Sequence, residues 1–165
     1  MLLIAAVVLA ADQFAKWVVV ATIGPDAGRH RIELLGDAIA LDYLENRGVA
    51  FGLLNGRAPI AGALAAAALL AVLVGVTTSG SVSRMRTLGA GLVVGGVLGN
   101  LLDRLRLGYV VDFVDIGPWP TFNVADASIT VGVLLLVWVM SRSERTVGEP
   151  ADRAERFGRA IGQAE

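Results

Sequence analysis

The chain contains no cysteine, one lysine (Lys16) and one histidine (His30) in 165 residues, and aromatic residues make up only 6% of it. Without cysteine there is no disulfide, no thiolate metal site and no cysteine nucleophile. A lone His30, read as a solvated loop residue, cannot build a histidine-rich metal centre, and Ser128 has no histidine partner to activate it as a nucleophile. Charge is scarce too: 18% of residues are ionisable Asp, Glu, Lys or Arg, and the formal net charge is -1. A balanced scatter of this kind offers no basic surface for phosphates, so nucleic acid is set aside as a partner. Chemistry is left to aspartate, glutamate, lysine, arginine, serine, threonine or the single His30.

What the chain has in abundance is apolar sequence: 55% of residues are hydrophobic and the mean hydropathy is +0.67. These values place it in the membrane class. A helix crossing a hydrocarbon core of about 30 Å needs roughly 20 apolar residues. Four stretches qualify. Residues 1–21 are apolar except for Asp12, Gln13 and Lys16, and residues 58–78 carry no charge. Residues 87–105 are uncharged as far as Leu102, with Arg104 placed to snorkel, and residues 124–141 are apolar except for Asp126. The pattern predicts an all-α membrane protein, a four-transmembrane-helix bundle. Gly91, Gly95, Gly96 and Gly99 permit close helix packing in lipid and need no other role. The first stretch is read as an uncleaved span, because "KWVVVATI" continues its apolar character past any signal-peptide site.

Arginine sets the orientation. The loop before the third stretch carries Arg84 and Arg86, and the tail carries Arg142, Arg145, Arg153, Arg156 and Arg159, so both are expected to be cytoplasmic. Both termini then lie inside, and residues 24–57 and 106–123 lie outside. In the first outer region "HRIELLGDAIALDYLENRGVAFGLL" alternates apolar and polar residues and breaks at Gly36 and Gly48. It predicts a small extracytoplasmic β-structured element between helices 1 and 2. The second outer region is read as a connection shaped by Pro118 and Pro120. Residues 1–141 form one membrane-embedded domain, monomeric by expectation, and residues 142–165 a flexible cytoplasmic tail.

An acid at bilayer depth costs several kcal/mol unless it is paired or hydrated, so each marks a candidate function. Asp12 and Lys16 stand one helical turn apart and pair as structural residues. Asp112 follows the third stretch and Asp126 begins the fourth; antiparallel neighbours bring both to the same membrane face. Two close carboxyls share a proton near neutral pH, one acting as acid and the other as base toward a water molecule. A plainer reading makes both residues helix caps, since negative charge is favourable at a helix start. Two further readings remain open. Asp103, Asp112 and Asp115 could hold Mg²⁺ or Mn²⁺ for phosphoalcohol transfer to lipid. Asp12, Lys16 and Asp126 could form a polar path in a non-enzymatic proton-conducting or assembly protein.

Four ordered motifs narrow the choice: "DQFAK" at residues 12–16, "NRGVAFG" at 46–52, "GGVLGNLLDRLRLGYVVDF" at 95–113 and "FNVADASI" at 122–129. Together they resemble the bacterial lipoprotein signal peptidase family, or signal peptidase II, over residue 1 to about residue 140. Ala15 stands where that family commonly has Ser or Thr, and Ala127 where Ser is frequent; neither departure removes an acid. The resemblance implies a four-span aspartic protease of the bacterial cytoplasmic membrane, working near the outer leaflet without cofactor or metal. Its implied partners are membrane lipid and prolipoproteins with a diacylglyceryl-modified cysteine, cleaved on the N-terminal side of that residue.

The resemblance also implies that Asp112 and Asp126 are the catalytic pair. Asp103 is the rival for the first place; Asp112 is preferred because Arg104 adjoins Asp103 and can neutralise it, and because Asp112 lies nearer water. Asn46, Asn100 and Asn123 are neutral amides able to orient a carboxylate or bind peptide. Gly48, Phe51, Asp103, Arg104 and Ala125 are the other supporting positions. Arg104 is read as a partner of lipid phosphate or of Asp103, or as an interfacial anchor, and Phe51 and Trp119 as residues at the membrane surface.

Overall fold

A computed structural model of the chain describes residues 1–27, 31–36, 38–48 and 83–147. Three of its helices are long and apolar enough to cross a membrane: α1 (Leu2–Ile23), α2 (Arg84–Leu107) and, within α3 (Val124–Val147), the stretch Val124–Arg142. The chain is a multi-pass membrane protein. The ends of α2 follow from local chemistry. Ser83 accepts a hydrogen bond from the Arg86 N–H at 3.1 Å, which satisfies one of the unpaired donors of the first turn. Gly108 closes the other end at φ 80°, and Arg104 and Arg106 in the last turn complement the helix dipole.

Three of the four expected spans are found, each longer than expected, and α3 runs through Val147, past the expected start of the tail at residue 142. The fourth, residues 58–78, lies outside the described residues, as does the tail beyond residue 147.

The expected all-α, four-transmembrane-helix bundle is not the fold. Beside the three membrane-length helices stands a four-stranded antiparallel sheet, β1 (Arg31–Glu33), β2 (Ala40–Asn46), β3 (Val110–Ile116) and β4 (Trp119–Phe122), in sequential order. The expected β-structured element supplies only β1 and β2. The other two strands come from the connection between α2 and α3, which the sequence predicts only as a turn shaped by Pro118 and Pro120. The reason is burial on both faces: in "VVDFVDI" Val111 and Phe113 pack against α1 while Asp112 is buried on the opposite side. Such a strand loses the alternation by which a half-exposed strand is recognised. Gly36 at φ 54° and Gly117 at φ 51° make the left-handed turns that close the two hairpins.

The sheet seats on the C-terminal end of α1, where Val19 and Ile23 pack against Val111 and Phe113, with Ile32, Leu41 and Tyr43 around them. Helix α2 is the most buried of the three and is flanked by both others. Its glycines set the spacing. A Cβ at Gly95 would stand 2.7 Å from the Ala5 carbonyl oxygen of α1, and one at Gly96 would stand 2.5 Å from the Ala125 carbonyl oxygen of α3. Backbone-to-backbone contact of this kind is open only to glycine and draws both neighbours against the polar end of α2.

Candidate active site

The first turn of α3 builds half of the site. Asn123 precedes the helix, and its Oδ1 accepts the Asp126 N–H at 2.9 Å; the Asn123 N–H returns a hydrogen bond to Asp126 Oδ2 at 3.4 Å. This is a reciprocal capping box with aspartate at its third helical position. The donor between them, Ala125 N–H, is taken by Asp12 Oδ1 of α1 at 2.9 Å. Thus one helix start is capped by a side chain of its own and by one from across the bundle. Asp126 Oδ1 accepts in addition from Asn100 Nδ2 of α2 at 2.8 Å.

Strand β3 builds the other half. Asp112 is 1% exposed, and both its oxygens accept from amides: Asn46 Nδ2 at 2.8 Å and Asn123 Nδ2 at 2.6 Å. Burial and the negative charge of Asp126 push the Asp112 carboxyl up to about 7, against the opposing pull of the Asn46 and Asn123 donors and of Lys16. Asn123 therefore touches both acids. It donates to Asp112, and through its Oδ1 and backbone N–H it holds Asp126.

Beneath the two acids lies a buried ionic layer. Lys16 Nζ stands 2.8 Å from both Asp12 and Asp103 and donates to Asn100 Oδ1 at 3.0 Å. The expected Asp12–Lys16 pair is present, and it does more than neutralise itself. By fixing the Asn100 carbonyl oxygen, Lys16 leaves the amide nitrogen facing Asp126. Among the described residues every buried side-chain polar atom has a hydrogen-bond partner.

The expected Asp103–Arg104 pairing is corrected. Consecutive helical residues point about 100° apart, so Asp103 turns inward to Lys16, to Gln13 Nε2 at 2.9 Å and to the Val111 N–H at 3.3 Å. Arg104 turns elsewhere and donates to the carbonyl oxygens of Asn100 at 3.3 Å and Gly48 at 3.2 Å. Gly48 also donates its N–H to Asn46 Oδ1 at 3.0 Å, which orients that amide toward Asp112. Ala125 is fully buried beside Gly99. Trp119, on β4, is 63% exposed. Phe51 and His30 lie outside the described residues.

Gln13 was missed as a site residue. It bridges Asp12 at 3.3 Å and Asp103 at 2.9 Å, and the available signal was an uncharged polar residue in an otherwise apolar span. Asp103, Asp112 and Asp115 do not converge: Asp103 belongs to Lys16, Asp112 to its two amides, and Asp115 to Arg31 at 2.6 Å. Among the described residues no three acidic, histidine or cysteine side chains gather as a ligand set. An apolar groove lined by Met85, Val131, Leu134, Leu135 and Trp138 lies toward the opposite ends of α2 and α3 and contains no ionisable side chain.

Three comparisons converge on this arrangement. Residues 4–142 match the family model described as signal peptidase (SPase) II. A lipoprotein signal peptidase of Halothermothrix orenii is 38% identical over 84% of this chain and 93% of its own, and one of Rhizorhabdus wittichii is 45% identical over 81% of each. A bacterial membrane enzyme solved by the in meso method superposes with a TM-score of 0.78 at 29% identity, covering 89% of this chain and 90% of that one. A second, solved the same way, superposes at 0.71 with 30% identity over 84% and 90%. With a polar site between α1, α2, α3 and the sheet, and with this match over most of its length, the chain belongs to the signal peptidase II family.

Proposed function

We propose that the protein is an intramembrane aspartic endopeptidase that removes the signal peptide from diacylglyceryl-modified prolipoproteins, cleaving on the N-terminal side of the lipidated cysteine. The observation that carries this reading is the Asn123 bridge: its side chain donates to the Asp112 carboxyl at 2.6 Å and accepts the Asp126 N–H at 2.9 Å, and its backbone N–H reaches the Asp126 carboxyl at 3.4 Å, so that one residue ties the two acids together. Family membership supports the substrate class.

The chemistry assigns different roles to the two acids. Asp112, whose carboxyl is pushed up to about 7, carries the shared proton near neutrality. Asp126 lies in the first turn of α3, where backbone donors accommodate a carboxylate. Asp126 takes a proton from water, the resulting hydroxide attacks the scissile carbonyl carbon, and Asp112 gives its proton to the carbonyl oxygen. Collapse of the tetrahedral species reverses both transfers: Asp126 protonates the leaving amine of the cysteine, and Asp112 recovers a proton from the hydroxyl. Asn46, Asn100 and Asn123 hold the two carboxyls in place without adding charge. The layer of Lys16, Asp12, Asp103 and Gln13 supports these amides from below, and Arg104 ties the segment after β2 to α2.

The deciding experiment uses the full chain in lipid nanodiscs with a diacylglyceryl-modified precursor. Asp112→Asn and Asp126→Asn are each expected to slow signal-peptide release by about 10²–10⁴-fold, the usual worth of acid or base catalysis. Parental turnover by either variant overturns the assignment.

A further inference from the structure

The last rung of the β2–β3 ladder pairs Asn46 with Val110, and continuing the register by one position sets Arg47 opposite Tyr109. A ladder end of this kind frays unless something beyond its backbone bonds holds it. Here the strand is weakened further by a register shift between Leu41 and Leu44. Yet Asn46, on this final rung, must stay within donor distance of Asp112.

Opposite the acids, four side chains close a ring around the ladder end. Tyr43 Oη lies 3.1 Å from Tyr109 Oη and 3.4 Å from Glu45 Oε1. Arg47 donates to Glu45 Oε2 at 2.7 Å, and its guanidinium stacks 5.5 Å from the centre of the Tyr109 ring. The Glu45 carboxylate only accepts, so Tyr43 donates to it and in turn accepts from Tyr109. Burial, together with the Tyr109 hydroxyl, pushes the Tyr43 phenol upward and keeps it protonated. Three members of the ring belong to β2 and its exit, on the strand face opposite Asn46. The fourth, Tyr109, follows the Gly108 cap of α2 and directly precedes β3, the strand of Asp112.

We propose that this ring, with Tyr109 as its anchor, is a positioning device that clamps the end of β2 to the junction of α2 and β3 and so keeps Asn46 on Asp112. None of the four touches either acid. Their effect passes through Asn46, whose donation to the Asp112 carboxylate opposes its upward displacement. The charged groups around Asp112 are Lys16 from α1, Arg104 from α2 and Asp126 from α3, and none of them belongs to the ring.

The inference rests on the proposed role of Asp112, so its test includes a readout independent of turnover. The full chain, carrying aspartate labelled with ¹³C at the carboxyl, is titrated by NMR in nanodiscs, with the Asp112 signal assigned by its loss in Asp112→Asn. Tyr109→Leu, which removes the hydroxyl and the stacking ring, is expected to move the Asp112 titration upward, on the order of half to one pH unit, as loss of one donor to a carboxylate does. Tyr109→Phe, which keeps the ring for Arg47, should move it less. In an Asn46→Ala background Tyr109→Leu should add nothing, because the link is already cut. With precursor as substrate, kcat should fall about tenfold in Tyr109→Leu with KM within about twofold of the parent, a selective loss of transition-state stabilisation. An unmoved Asp112 titration in Tyr109→Leu, or full additivity with Asn46→Ala, overturns the clamp. Parental turnover by Asp112→Asn would instead overturn the catalytic reading and leave the titration result standing.

Discussion

At the scale of single residues, the site is a problem in charge accounting. Asp12, Asp103, Asp112 and Asp126 are gathered around one buried ammonium group, Lys16. Two of the acids take the lysine and the other two take amides. The sign of the resulting pH dependence follows from Asp112. Its carboxyl is raised from 3.8 to about 7, so the folded protein holds this proton more tightly than the unfolded chain. The contribution to stability is fully present below about 4 and is lost as pH rises through about 7. In activity, the kcat/KM profile is expected to fall on its alkaline side with an inflection near 7, as the acid loses its proton. Asp126→Asn removes the neighbouring charge, so the Asp112 titration in that variant should move downward, as read by carboxyl NMR. An alkaline limb that stays flat to pH 9 would contradict this. Asp12, Lys16 and Asp126 stand out in the sequence as charges in apolar spans, whereas Asn46, Asn100 and Asn123 are picked out by the motifs that carry the family resemblance. The partner of Asp103 was not legible there, since it depends on how α1 and α2 are rotated against each other, and adjacency in sequence pointed wrongly to Arg104.

At the scale of elements, the polar network depends on how closely three helices approach. Gly96 lies against the Ala125 carbonyl, one residue before Asp126, while Gly89 lies against Gly132 toward the other end of the same helix pair. A methyl at either position must push α3 away, but only the first displacement reaches the acids. Gly96→Ala is therefore expected to lower both the unfolding midpoint and the turnover of bound substrate, the latter by at least about tenfold, since misplacement by about 1 Å costs roughly 10²-fold. Gly89→Ala should lower the midpoint with turnover within about twofold of the parent. Equal losses of turnover in the two variants would refute the local argument. The spans were readable because each needs only a long apolar run. Strands β3 and β4 were not: β3 carries Asp112 and Asp115 among its valines, and a strand pressed against α1 on one side and housing an acid on the other shows no simple period.

At the scale of the whole molecule, helices and sheet together impose a polarity. The sheet, the end of α2 and the start of α3 share one end of the protein, while Arg84 begins α2 at the other. From the arginine distribution we propose that the Arg84 end faces the cytoplasm. The cysteine-free sequence makes this directly testable, because a single introduced thiol is the only one present. Glu33→Cys, on exposed β1, is expected to react with a membrane-impermeant maleimide added to intact cells, and Arg84→Cys only after permeabilisation. The opposite pattern would invert the orientation.

The double engagement of Asn123 has a consequence for how such a protein can change over evolutionary time. Because its side chain joins the Asp112 carboxyl to the backbone N–H of Asp126, a substitution there disturbs one acid and the helix start that carries the other at once. Adaptation to a more acidic or more alkaline surface has to proceed through the singly wired positions instead, Asn46 on the Asp112 side and Asn100 on the Asp126 side.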